Sequence, residues 1–280
     1  MLKLQKGTIW MVVATFCFAI MGACVKFGSA TFNPNELVFY RSGINLIIVY
    51  FLMLALNISV KTKYITLHLK RSIIGFLSLI LFFYAISHLP LGTAISLNYT
   101  SPLFVGLLMP FVLGRKIKGF LLCTVFLGFL GITLILKPTF ANQSFYAGVI
   151  GLLSGLGAGF AYLYVTQLGQ VKEPSLRTVF YFSLISTIGA ALFAIPEQIQ
   201  LPDVNSIWNL LLLGISATIA QLAITRAYKI GSTLGNAGLS YLTVIFSTII
   251  GVVIFMEYLD WQTYVGILLI IISGVIASKK

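Results

Sequence analysis

The chain has 280 residues, 59% of them apolar and only 9% charged, with a mean hydropathy of +1.03. Such a composition excludes a soluble globular domain and a disordered chain, so lipid is the solvent against which the fold is built. The net charge of +12 would point to nucleic acid in a soluble protein, but here its placement along the chain decides otherwise.

A bilayer core takes roughly 20 apolar residues per helix. Charged and Pro- or Asn-containing breaks divide the chain into ten such segments, at approximately 8–28, 35–56, 71–88, 92–113, 119–136, 147–168, 175–195, 206–228, 233–256 and 262–278. The expected fold class is therefore an all-α polytopic membrane protein with ten transmembrane helices. Runs such as Ile267-Leu268-Leu269-Ile270-Ile271-Ile272 are apolar on every face, unlike the alternating strands of a membrane barrel. The first span follows Lys3 and Lys6 and precedes Gly28-Ser29-Ala30, but its apolar stretch is too long for a signal peptide and it reads as retained. Cys17, Cys24 and Cys123 lie within spans at no disulfide or metal-ligand spacing, so they read as packing residues; no metal and no cofactor is expected.

The chain also repeats itself. Val38-Phe39-Tyr40 returns 141 positions later as Val179-Phe180-Tyr181, with Arg41 replaced by Phe182, and Lys26-Phe27-Gly28 falls on Gln167-Leu168-Gly169 at the same offset. At an offset of 142, Ala85, Leu97, Tyr99, Ser101 and Arg115 meet Ala227, Leu239, Tyr241, Thr243 and Glu257. Two units of five helices follow, over 1–140 and 141–280. Five is odd, so consecutive units enter the membrane from opposite sides and the repeat is inverted. That arrangement puts a substrate site near the midplane.

Charge placement agrees. With the N-terminus inside, every Lys and Arg except Lys26, Arg41 and Lys137 falls at a cytoplasmic end or loop, Arg71 and Lys229 included. Glu36, Glu197, Asp203, Glu257 and Asp260 fall on the other side. The positive-inside rule thus predicts a multi-pass protein of a bacterial cytoplasmic (inner) membrane with both termini cytoplasmic. It also removes the need for a nucleic-acid partner, leaving the bilayer and a small molecule, with a monomer as the expected state.

Leu89-Pro90-Leu91-Gly92-Thr93-Ala94 and the later Ser101-Pro102-Leu103-Phe104 resemble the fourth-helix pattern of the EamA family of the drug/metabolite transporter superfamily. Asn33-Pro34, Glu36-Leu37 and Arg41 are similar to its second-helix entry, and Gly131 to Lys137-Pro138 to its fifth-helix exit. The resemblance covers the whole chain. It implies ten helices in two five-helix repeats that move small metabolites, often amino acids or related compounds and frequently outward. Where the family commonly has Gly-Glu after the fourth helix this chain has Gly114-Arg115, while the second repeat keeps Glu257.

Arg41 lies about six residues into the second span, roughly 9 Å below its end; it either meets a substrate carboxylate or snorkels to the headgroups. Lys26 and Arg226 sit closer to span ends and read as snorkelling. Asn98, Tyr99, Thr100 and Ser101 concentrate hydrogen-bonding groups before Pro102, which frees a carbonyl near position 98 for substrate or for helix packing. Asn236, Ser240, Tyr241 and Thr243 are the counterparts, but Val244 replaces the proline, so the halves are expected to differ as gates. Tyr84, Tyr162, Tyr164, Gln167 and Gln221 complete the polar and aromatic candidates. Tyr162 and Tyr164 are about 200° apart on a helix, so one of them at most lines a cavity. Gly151, Gly155 and Gly159 share one face of the sixth span and form a close-packing groove on which another helix can rest or slide.

The substrate-binding set is therefore Arg41, Tyr84, Asn98, Tyr99, Ser101, Tyr162, Gln221, Asn236 and Tyr241, with Pro102, Gly151, Gly155, Gly159 and Glu257 for gating and packing. No Asp or Glu lies deep in a span, which favours a facilitator or exchanger over ion coupling through Glu257. No nucleophile, carboxylate pair or metal motif of an embedded enzyme is present. The function read from these features is secondary transport, by alternating access, of a small carboxylate compound such as an amino acid, by efflux or exchange. A nucleoside-type metabolite such as S-adenosylmethionine, a lipophilic drug, or a channel-like pore are the alternatives.

Overall fold

The computed structural model describes residues 7–114, 126–128, 130, 131, 134, 143–197 and 199–278. Among these the fold is all-helical, with no strand. In chain order the helices are α1 (Thr8–Gly28), α2 (Pro34–Ala55), α3 (Ile65–His88), α4 (Leu91–Asn98), α5 (Ser101–Leu113), α6 (Gln143–Gln170), α7 (Ser175–Ala194), α8 (Val204–Ile230), α9 (Thr233–Leu239), α10 (Leu242–Ile254) and α11 (Trp261–Ser278). Eight stretches of the described residues are long and apolar enough to cross a membrane, and Trp261–Ser273 is a shorter apolar helix. Most of the expected fifth span lies outside the described residues, as do Lys3, Lys6, Arg115, Cys123 and Lys137.

Helices are what lipid permits, because each backbone N–H and C=O must find its partner within the segment. Their outer faces carry Phe51, Leu77, Phe111 and Leu192, all exposed, while Ser42, Asn45, Ser72, Ser183, Ser186 and Thr225 are buried between them. A polar interior inside an apolar coat is the pattern of a bundle that keeps its polar groups away from lipid. Helix α2 starts on a reciprocal cap: Asn33 Oδ1 accepts from the Glu36 N–H at 2.9 Å, and Glu36 Oε2 accepts from the Asn33 N–H at 2.8 Å. Pro34 supplies the preset first turn.

The long helices pack across the two halves of the chain: α1 on α8, α3 on α6, α2 on α7, α1 on α10 and α6 on α4 and α5. The contact of α1 with α8 becomes that of α6 with α3 when the halves are exchanged, and the contact of α2 with α7 is its own counterpart. Individual bonds repeat in the same way. Tyr40 donates from its hydroxyl to the Gln200 carbonyl at 2.5 Å, and Tyr181 to the Val60 carbonyl at 3.0 Å. Each tyrosine of the copied motif thus ties its helix to the segment that follows the partner helix.

Three features depart from the spans expected from sequence. Helix α3 begins at Ile65, not near 71; hydropathy ended the span at His68 and Arg71, but both are buried on its inner face. The expected fourth span is broken between Asn98 and Ser101, where Pro102 has no N–H for the Asn98 carbonyl and the Thr100 hydroxyl takes the Leu97 carbonyl at 2.7 Å. The ninth breaks at the matching place, between α9 and α10, although Val244 stands where Pro102 would be. There the turn tightens by itself: the Ser240 hydroxyl donates to the Ala237 carbonyl at 2.6 Å, and the Thr243 and Val244 N–H groups bond three residues back, at 3.0 Å each. The proline is not what distinguishes the two halves.

Candidate functional site

The broken fourth span exists in its present position because of the glycine face of α6. A Cβ at Gly155 would stand 2.5 Å from Thr100 Oγ1, 2.8 Å from the Leu97 carbonyl and 2.9 Å from the Asn98 carbonyl. Gly151 faces the Leu97 and Ala85 side chains, and Gly159 faces Phe104 and the Ser101 carbonyl. The α4–α5 break therefore rests directly on the α6 backbone. Asn98 is pinned there, its Nδ2 donating to Ser154 Oγ at 2.9 Å, while Ser78 Oγ donates to the Ser154 carbonyl at 2.7 Å.

Behind this junction lies a cavity of about 70 Å³. It has room for a few water molecules and falls well short of the roughly 300–1,000 Å³ of a metabolite pocket. Its walls combine Phe18 and Met21 of α1, Arg41 of α2, Arg71, Ser78 and Phe82 of α3, Asn98 and Tyr99 at the break, Tyr162 of α6, Phe182 of α7 and Gln221 of α8. Seven helical segments from both halves of the chain thus converge on one small volume.

Two arginines dominate it. Arg41 is 1% exposed and Arg71 2% exposed, and their guanidinium carbons lie 5.3 and 3.7 Å from the centre of the same Phe182 ring. The two are therefore within about 9 Å of one another, a repulsion of at least about 2 kcal/mol at an effective dielectric constant of about 20. Nothing acidic offsets it: among the described residues neither has an ion-pair partner, and Nε and Nη1 of both lack any hydrogen bond. Arg41 Nη2 reaches only the Gln221 amide oxygen, at 3.4 Å. The ring face of Phe182 supplies partial compensation to both cations.

Five of the nine residues expected from sequence to bind substrate meet at this cavity: Arg41, Asn98, Tyr99, Tyr162 and Gln221. Tyr84, Ser101, Asn236 and Tyr241 do not line it. Tyr84 stacks on His88 at 4.0 Å near the end of α3. Asn236 donates to the Ala227 carbonyl at 2.5 Å and locks α9 to α8. Ser101 and Tyr241 are buried at the two helix breaks, and Pro102 lies in the first turn of α5. Tyr162 turns into the cavity with Tyr228 stacked behind it at 4.9 Å, and Tyr164 is not part of the wall. Arg71 and Phe182 were missed. Arg71 had been counted as an end-of-span cation; the signal that could have placed it is His68, one helical turn earlier and equally polar ahead of an apolar run.

Polar ties close both ends of the bundle. At the end where α3 and α7 begin, Glu173 accepts from Arg177 Nη1 at 2.8 Å and Thr62 Oγ1 at 2.9 Å, with His68 Nε2 at 3.3 Å. Lys229 Nζ donates to the Glu173 carbonyl and to Thr178 Oγ1, both at 2.8 Å. Burial pushes the Glu173 carboxyl up, but the hydrogen bonds from Arg177, Thr62 and His68 outweigh it and hold the group below the ordinary glutamate value. At the other end Glu257 accepts from the Leu91 N–H at 2.8 and 2.9 Å, and Lys26 lies 3.7 Å from the same carboxylate while donating to the Leu89 carbonyl at 2.7 Å. Lys26 is therefore a tether between α1 and the α3–α4 turn, not a snorkelling side chain. Glu36 Oε1 accepts from the Gln200 N–H at 2.6 Å on that face.

The model of the EamA-like transporter family matches the chain twice, over residues 5–137 and 146–278. The chain is 33% identical to the pseudopaline exporter CntI of Pseudomonas aeruginosa, over 99% of this chain and 97% of that protein. It is 29% identical to a riboflavin transporter of Vibrio cholerae, over 80% and 76% of the two chains, and 24% identical to an S-adenosylmethionine uptake transporter of Rickettsia prowazekii, over 95% and 90%. A solved crystal structure, 19% identical, superposes with a TM-score of 0.71 over 97% of this chain and 96% of its own and shares the fold. The family and these relatives are transporters, not enzymes. A multi-span helical bundle with a cavity lined from both halves of the chain thus agrees with the match along its length: the chain belongs to the EamA-like transporter family.

Proposed function

We propose that this transporter moves a small carboxylate-bearing metabolite, of the amino-acid class or related to it, out of the cell or in exchange, across a bacterial inner membrane. The observation that carries this reading is the pair of buried arginines on the Phe182 ring with no acid beside them. Uncompensated guanidinium groups in a membrane interior are costly, and a substrate carboxylate satisfies them through paired N–H donors.

The mechanism is alternating access between two inverted five-helix units, 1–140 and 141–280, with both termini cytoplasmic. The exchangeable helix contacts and the matched bonds of Tyr40 and Tyr181 support that relation, and the charge placement supports the orientation. The polar ties at the two ends of the bundle are the contacts that such a movement must break: opening either end means separating α4 from Glu257, or the 171–174 turn from Thr62 and His68.

A second reading, a nucleoside-type metabolite such as S-adenosylmethionine, is favoured by the aromatic share of the wall: Phe18, Phe82, Tyr99, Tyr162 and Phe182. One of the relatives is named as an S-adenosylmethionine uptake transporter. A metabolite thermal-shift screen of the purified protein, followed by flux of each hit in proteoliposomes, separates the readings by which class stabilises and saturates. Flux that rises without saturation would identify a pore. Counterflow without any ion gradient is expected for the facilitator or exchanger; strict dependence on an imposed proton gradient would shift the mechanism to coupling through Glu257.

A further inference from the structure

We infer that the cavity selects a substrate carrying two separate anionic groups, one read by Arg41 and the other by Arg71. The inference rests on the carboxylate reading of the same site and deepens it.

The geometry distinguishes one anion from two. Both guanidinium groups touch one ring, Phe182, yet they arrive from different helices, α2 and α3, and each leaves Nε and Nη1 without a hydrogen bond. Nε and Nη1 lie on different edges of each planar guanidinium, so both cations keep open N–H donors that an anionic oxygen can take as charge-assisted hydrogen bonds. A single carboxylate brings one negative charge to two buried cations and leaves a net positive charge buried with them. The amides present, Asn98 and Gln221, cannot neutralise it, and Asn98 Nδ2 is already committed to Ser154.

Arg71 is held in this place by design of its own helix. A Cβ at Gly75 would stand 3.1 Å from Arg71 Nη1 and 3.1 Å from Phe182 Cε2, so the glycine one turn along α3 lets the guanidinium and the ring approach the helix closely. The same cavity wall carries the apolar and aromatic side chains of Phe18, Met21, Phe82 and Phe182. The ligand that matches is a dianion whose charges are separated by a small apolar frame.

The test uses the full-length protein in detergent and two probes of nearly the same shape, N-benzoylglutamate and N-benzoylglutamine, with affinities measured by calorimetry. The wild type is expected to bind the two-carboxylate probe at least tenfold more tightly than its one-carboxylate partner. Arg71→Gln should reduce that ratio to about one, and Arg71→Lys should keep part of the ratio. Equal affinity of the two probes for the wild type overturns the inference and leaves the carboxylate reading intact, and so does an unchanged ratio in Arg71→Gln. Binding of neither probe by a protein with a normal thermal melt overturns both. The wild-type comparison decides the matter even if Arg71→Gln fails to fold.

Discussion

The guanidinium of Arg41 lies 5.3 Å from the ring centre of Phe182, and the two residues hold the same place, directly after Val-Phe-Tyr, in the two copies of the motif. Positions matched in sequence therefore meet in space, where α2 packs on α7. Arginine in both copies would have faced arginine at this point. Phenylalanine in the second copy replaces that repulsion with an aromatic face, which also receives Arg71 at 3.7 Å. The asymmetry of the copies thus gathers two cations on one ring.

If Arg41 reads substrate charge, Arg41→Ala should abolish the thermal stabilisation given by any carboxylate ligand that the screen finds. Arg226→Ala should retain it, because Arg226 is exposed and stacks on Trp10 at 4.5 Å, away from the cavity. Melting curves with and without ligand check this; the reverse outcome would move the site to the Trp10 end.

Gly155 has no space for a side chain against the Leu97 and Asn98 carbonyls. Gly155→Leu should eliminate transport at normal membrane abundance, since insertion depends on hydropathy and not on this contact. Gly155→Ala should destabilise by about 1–3 kcal/mol through overpacking. Flux normalised to membrane abundance, with a thermal melt of the Ala variant, gives the comparison.

The Glu173 network makes stability depend on acid. Its carboxyl is held below the ordinary value, so the contribution is complete above the unfolded value of about 4.3 and disappears as pH falls through the lower folded one. Melting temperature should drop along that limb, and Glu173→Gln should flatten the drop while lowering stability at neutral pH by about 1–3 kcal/mol. A wild-type acid limb that survives in Glu173→Gln would assign it elsewhere.

Tyr40→Phe and Tyr181→Phe each remove one hydroxyl bond to a loop carbonyl and should cost about 0.5–1 kcal/mol apiece. Similar losses, read as shifts in melting temperature, are expected for the pair because the bonds are counterparts. A large loss in only one would mean that the two ends of the bundle are held differently.

Much of this was legible in the residues. Apolar runs of helical length identify a bundle in lipid because no other open structure satisfies its backbone there, and the Val-Phe-Tyr copies carry the twofold pattern of the contacts. Five cavity residues, Arg41 among them, stood out because polar or charged groups at membrane depth need a reason. The break at Asn98 was announced by Pro102. The matching break at Ser240 was not, since it arises from hydroxyl-to-carbonyl bonds that compete with the helix only once neighbours exclude water.

What the chain determined by itself is its solvent, its helices, its duplication and its family resemblance, all of which depend on local composition and period. Only the tertiary structure decided that Arg71 is an interior residue, that one Phe182 ring receives two cations, and that Tyr84, Ser101, Asn236 and Tyr241 stay outside the cavity. A hydropathy window sees the charge on Arg71 but not the direction in which α3 turns it. That direction is set by packing against α6 and α7, by residues far from it along the chain.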